Sequence, residues 1–169
     1  AREYSLDHPM SLPRLDIHSL LRQHSIHPEK SLGQNFLLDE SSLEQVVAAA
    51  EIKGEDIVLE IGAGLGSLTR HLARTAHSVV AVEVDEGLLP PLRQVLEPFP
   101  NVRLVHGDIL TQEPEKLIPE GPFLVVANIP YYITSVLIRH LLEAPCPPSR
   151  MVLTLQKEVA QRICAAPGD

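Results

Sequence analysis

Apolar residues follow two rhythms along this chain, and the change from one to the other near residue 54 divides it. Before that point the spacing is helical. In "LDIHSLLRQHSI" the apolar positions 17, 20 and 21 share a face and Asp16 stands where an N-cap belongs, which predicts a short helix. "HPEKSLGQNFLLDESSLEQVVAAAEIKGED" predicts a loop and then a helix, opened by Ser41-Ser42-Leu43-Glu44 as a capping box and closed near Gly54. Beyond Gly54 short apolar runs alternate with helical stretches. The runs "DIVLEIG", "SVVAVEV", "NVRLVHGD", "PFLVVAN" and "RMVLTLQ" predict five strands. Among them "LGSLTRHLART", with Leu65, Leu68 and Leu72 on one face, and "ITSVLIRHLLEA" predict helices, and "KEVAQRICAA" begins a last one. In "EGLLPPLRQVLEP" the adjacent Pro90 and Pro91 are tolerated only in a first turn, which puts that helix's start near Leu89. Strands that are apolar throughout and separated by helices belong to a parallel sheet covered on both faces. The fold class expected is α/β, with a mostly parallel, doubly wound sheet.

The organisation expected from this pattern has three parts. Residues 1–14, with two prolines and no period, read as a flexible leader; residues 15–54 form an N-terminal helical segment; residues 55–169 form the α/β core.

Composition narrows the function classes. With 169 residues, 44% hydrophobic and 21% charged, the chain is long enough for one core and short for two domains. No apolar run approaches the roughly 20 residues that cross a bilayer, and a secretory signal pattern is absent from the first residues, so a cytoplasmic, membrane-free protein is expected. Cys146 and Cys164 are too few for a disulfide framework, and the eight histidines are scattered rather than set at metal-ligand spacing. No metal is expected. A formal net charge of -8 argues against a broad polyanion-binding surface but leaves room for a local basic patch. Arg22, Lys30, Lys157 and Arg162 are candidates for phosphate contact, and equally ordinary members of a solvated face.

The chemistry concentrates at the ends of the predicted strands. Glu60-Ile61-Gly62-Ala63-Gly64-Leu65-Gly66 follows the first strand and opens a helix, and its glycines allow a tight turn and let a ligand approach backbone N–H groups with no side chain between. The spacing G-x-G-x-G differs from the dinucleotide pattern G-x-G-x-x-G, and alone it is a weak signal. The second strand ends at Glu83, where a carboxylate can accept both hydroxyls of a ribose. The third ends at Gly107-Asp108, an acid within reach of an adenine amino group, and the fourth at Asn128-Ile129-Pro130-Tyr131. Four signals at successive strand ends point to one nucleoside crevice. An amide oxygen at Asn128 and a carbonyl at Ile129 would together accept hydrogen bonds from an exocyclic amine and turn its lone pair toward a methyl donor. Pro130 would stiffen that carbonyl, and Tyr131 would offer a ring face to a base, so that positioning and electrostatics carry catalysis. From spacing alone the reading is an amine-directed methyltransferase.

Six ordered motifs then resemble the ribosomal RNA adenine N6,N6-dimethyltransferases, the KsgA family, from about Ile17 to the chain's end. They are "KSLGQNFLLD" (30–39), "EIGAGLGSLT" (60–69), "VEVD" (82–85), "HGDIL" (106–110), "NIPYYIT" (128–134) and "LQKEVAQRI" (155–163). The resemblance implies a Rossmann-like class I methyltransferase fold and S-adenosyl-L-methionine as methyl donor. The donor would be contacted by Gln34, Asn35, Leu37, Gly62, Gly64, Glu83, Asp108 and Asn128. It implies Asn128, Ile129, Pro130 and Tyr131 as the catalytic turn, and Phe36 and Tyr131 flanking a base taken out of its stack. The implied reaction is dimethylation of two adjacent adenosines in a hairpin near the 3′ end of small-subunit rRNA, with the immature small ribosomal subunit as partner and the enzyme a monomer. Erythromycin-resistance enzymes, which act on large-subunit rRNA, share most of these motifs, although "NIPYYIT" and "LQKEVAQR" look more like the housekeeping family. A non-catalytic assembly or transcription factor derived from that family is a further alternative. The family pattern continues past "QKEVAQR" with two more strands and a small basic helical domain. The expectation is therefore a chain truncated after its fifth strand, able to hold cofactor but poor at binding rRNA and at turnover.

Overall fold

The computed structural model describes residues 12–27, 39–119, 121–129 and 131–165, with the side chain of Tyr131 left aside. Five strands form one parallel sheet: β1 (Ile57–Ile61), β2 (Ser78–Glu83), β3 (Val102–His106), β4 (Phe123–Asn128) and β5 (Arg150–Thr154), in the order β3-β2-β1-β4-β5. The chain builds outward from β1 through β2 to β3, then returns to the other side of β1 to lay down β4 and β5. That reversal leaves a crevice at the carboxyl ends of β1 and β4, where ligands of doubly wound sheets bind.

Seven helices accompany the sheet: α1 (Ile17–Gln23), α2 (Glu40–Ala50), α3 (Ser67–Thr75), α4 (Leu89–Leu96), α5 (Pro114–Leu117), α6 (Thr134–Leu142) and α7 (Lys157–Cys164). Alternation along the strands decides what each face holds. Val58, Val79, Ala81 and Val126 face α2, α3 and α4 and pack with Leu43, Leu68, Leu72 and Leu92. Their neighbours in sequence, Leu59, Val80, Val82 and Val125, face the other way and pack with Leu117 of α5 and with Leu137 and Leu141 of α6. Both faces are thus removed from water, and each fully buried Leu adds about 1.5–3 kcal/mol. A third, smaller cluster joins Leu20 and Leu21 of α1 to Leu65 and Leu88, so α1 lies against the turn that leads into α3.

The expected strands are all present, and α4 begins at Leu89 with its prolines in the first turn. Two expectations need correction. The cap of α2 is Asp39 rather than the Ser41 box: its carboxylate accepts the N–H and the hydroxyl of Ser42, both at 2.9 Å. A carboxylate, charged and placed at the positive helix end, outcompetes a serine hydroxyl two residues further on. The same helix stops at Ala50, before Gly54, because Glu51 turns left-handed (φ 46°) and Arg150 at the start of β5 donates to the Ala50 carbonyl at 2.6 Å. The one-turn α5 follows Pro114, and four residues are too few to show a period. Leu65 also parts from Leu68 and Leu72, since it precedes α3 and packs on α1 instead.

Candidate active site

Glu83 organises the crevice. Its side chain is 5% exposed, and its two oxygens divide their work: Oε2 accepts the N–H of Gly64 at 2.7 Å, Oε1 that of Asp85 at 2.9 Å. Its main-chain oxygen takes the N–H of Gly107 at 2.9 Å, which draws the loop after β3 to the end of β2. The β1 ladder meanwhile runs on into the turn, where the N–H groups of Gly62 and Ala63 both donate to Val82 O, at 2.9 and 3.2 Å. The N–H of Gly66 closes the turn on Ala63 O at 2.9 Å. These bonds revise the role expected of the glycines. The donors of Gly62, Ala63, Gly64 and Gly66 are engaged within the protein, so the turn is no cradle for phosphates.

What the glycines provide is shape. Gly62 (φ 77°) runs so near the end of β4 that a Cβ on it would lie 3.3 Å from the main-chain oxygen of Asn128. At Gly66 (φ 83°) a Cβ would come within 3.0 Å of Leu92 and Val95. Asn128, half-buried, closes β4, and Ile129 is buried in the core beside it. Tyr131 opens a single 3-10 turn that leads into α6. Asp108 follows β3, where its Oδ1 accepts the N–H of Leu110 at 2.9 Å. Gly62, Gly64, Glu83, Asp108, Asn128 and Ile129 therefore stand at the carboxyl ends of four adjacent strands, β3-β2-β1-β4. Gln34, Asn35, Phe36, Leu37 and Pro130 lie outside the described residues.

Two residues at this edge escaped the sequence reading. Val84, between Glu83 and Asp85, is 58% exposed. An aliphatic side chain facing water at a strand's end, between two acids, is the signal that it leaves in the sequence. Glu60 is the second. It interrupts the apolar run of β1, is 1% exposed, and points toward α3 between Ala81 and Val126 in the neighbouring strands. Burial pushes its carboxyl up to about 8; the Thr69 hydroxyl opposes the shift, and the charge of Glu83 adds to it. Neither Glu60 Oε2 nor the Thr69 hydroxyl makes a hydrogen bond of good geometry, although both are buried.

The N-terminal elements are fastened to the helix that the glycine turn opens. Arg70 of α3 donates to Pro13 O at 2.6 Å, and its neighbour His71 pairs with Glu40 of α2 at 2.9 Å. Cys146 and Cys164 are free and exposed, and among the described residues no group of three His, Cys, Asp or Glu is placed to hold a metal. Among them, too, no helix is long and apolar enough to cross a membrane.

A parallel sheet in this order, with an acid closing the second strand against a glycine turn, defines a Rossmann-like methyltransferase fold. The model of the family described as ribosomal RNA adenine dimethylase matches residues 26–169, and the chain belongs to that family. It is 47% identical over 154 residues to ribosomal RNA small subunit methyltransferase A of Latilactobacillus sakei, covering 88% of this chain and 52% of that protein. Among solved structures it is similar to a dimethyladenosine transferase from Plasmodium falciparum, with 34% identity, a TM-score of 0.69, and 79% of this chain and 47% of that one covered. It is similar as well to the 23S rRNA methyltransferase ErmE, with 39% identity, a TM-score of 0.67, and coverages of 75% and 50%. The chain spans about half the length of the curated relatives it matches.

Proposed function

We propose that this chain carries the S-adenosylmethionine site and catalytic turn of a cytoplasmic enzyme that dimethylates two adjacent adenosines in the 3′-terminal hairpin of small-subunit rRNA, acting as a monomer on the immature subunit. One observation carries the choice of cofactor. The turn's N–H groups are bonded within the protein while an acid faces the ribose position, which suits a nucleoside without phosphates and not a dinucleotide. Glu83 suits the role of ribose acceptor: each of its oxygens spends one lone pair on a backbone N–H and keeps another for a hydroxyl. Val84 offers an apolar surface to the adenine ring, and Asp108 its free acceptor capacity to the adenine amine. Gln34, Asn35 and Leu37 complete the cofactor contacts.

When bound, S-adenosylmethionine supplies an electrophilic methyl group. The chain's own part is to hold the acceptor amine. Its N–H groups would donate to the Asn128 amide oxygen and the Ile129 carbonyl, with Pro130 fixing that carbonyl and Tyr131 and Phe36 stacking on the extruded base. No proton-abstracting residue is required, because the amine becomes acidic once methylated.

The test is calorimetric titration with S-adenosylmethionine followed by transfer of labelled methyl groups to undermethylated small and large ribosomal subunits. Labelling of adenosine in the small subunit is expected. Labelling confined to the large subunit would turn the assignment toward the ErmE-like reaction, and cofactor binding with neither labelled toward a non-catalytic factor.

A further inference from the structure

Glu60 has no part in the reaction as described, yet it is the most completely buried acid of the site. Proteins seldom bury a carboxyl without partners, since an unpaired polar atom in the interior costs free energy and an unpaired charge costs far more. Glu60 lies two residues before Gly62, its Oε2 has no partner, and the fully buried Thr69 hydroxyl beside it has none either. Glu83, by contrast, has both oxygens engaged on the turn. The sheet therefore sets two buried carboxyls side by side at the foot of the glycine turn, one bonded and one held in reserve. Of the charged groups on the elements packed around Glu60, Glu83 acts on it; Arg70 and His71 of α3 are turned to Pro13 and Glu40.

Resting on the proposed cofactor, we infer that Glu60 is a proton-linked positioning residue, neutral in the ligand-free protein and ionised when a sulfonium nucleoside settles over Gly62 and Gly64, so that cofactor binding releases a proton to solvent. Two negative carboxyls so close repel each other, and the low-dielectric interior magnifies that repulsion. A ligand carrying a sulfonium and an ammonium group reverses the field at the turn. The carboxylate formed then finds a donor at hand, because the Thr69 hydroxyl can rotate to face it. The ordinary burial shift of the free protein, to about 8, leaves Glu60 protonated at neutral pH, as this linkage requires.

Calorimetry with S-adenosylmethionine at pH 7 in buffers of different ionisation enthalpy reads the proton count directly. For a group that starts nearly fully protonated, release of roughly 0.3–0.9 proton per molecule bound is expected. Glu60→Gln, which keeps the shape of the neutral acid, is expected to release almost none and to bind at least about tenfold more weakly. Should that variant fail to fold, the wild type alone decides, since its affinity must strengthen between pH 6 and 7. Binding with no proton released, or release unchanged in Glu60→Gln, overturns the inference while leaving the proposed function standing. Absence of any binding to a folded chain removes the cofactor assignment, and this inference with it.

Discussion

Glu83 Oε2 accepts the N–H of Gly64 at 2.7 Å and so ties the end of β2 to the turn after β1. The same carboxylate that would hold a ribose therefore also holds the turn on which the cofactor rests. Binding and preorganisation are coupled through one side chain.

Glu83→Ala should damage both. Two backbone donors lose their acceptor in a nearly buried place, a loss of about 1–3 kcal/mol. Cofactor affinity should fall by on the order of 100-fold, since the ribose hydroxyls lose charge-assisted partners. Calorimetry and thermal unfolding of the same preparation separate the two effects. Affinity within threefold of wild type would show that Glu83 serves the turn alone.

Asn128→Ala should leave the fold intact, because Asn128 is only half-buried at a strand end. Cofactor affinity should change by less than about tenfold while single-turnover methyl transfer drops by roughly 100–1000-fold, as for loss of one preorganised hydrogen-bonding group. A rate close to wild type would remove Asn128 from the catalytic turn.

Gly66→Ala tests the shape of the turn independently of its chemistry. The new Cβ would crowd Leu92 and Val95 at 3.0 Å in a left-handed backbone that alanine resists, so a loss of about 1–3 kcal/mol is expected in chemical denaturation. Unchanged stability would mean that α4 moves aside at little cost.

Glu60 predicts the pH dependence of stability. Its folded pKa, about 8, lies above the ordinary 4.5, so between those values the folded chain keeps a proton that the unfolded chain gives up. The stabilisation this confers is complete below pH 4.5, declines as pH rises, and is gone once pH passes 8. Glu60→Gln should therefore change little at pH 5 and gain a few kcal/mol on wild type at pH 9, on the order of one per pH unit crossed. A difference between the two proteins that does not vary with pH would show that Glu60 titrates normally.

Much of this architecture was already legible along the chain. Apolar runs such as "FLVVAN" could only be buried strands, Pro90 and Pro91 located the start of α4, and glycines, acids and the Asn128 turn fell at strand ends because a parallel sheet sends every such end to one edge. Local chemistry does not travel across space, and there the reading ran short. Which residue caps α2 depends on a competition between Asp39 and Ser41, and where it stops depends on Arg150, a hundred residues away. The engagement of the turn's own N–H groups needed the partners that β2 brings, Val82 and Glu83. Glu60 marks the boundary between the two kinds of knowledge. Its presence in "IVLEI" was plain in the sequence as one acid in an apolar strand, but its unusual proton affinity arises from burial beneath α3 and from the neighbouring charge of Glu83, which only the folded chain brings together.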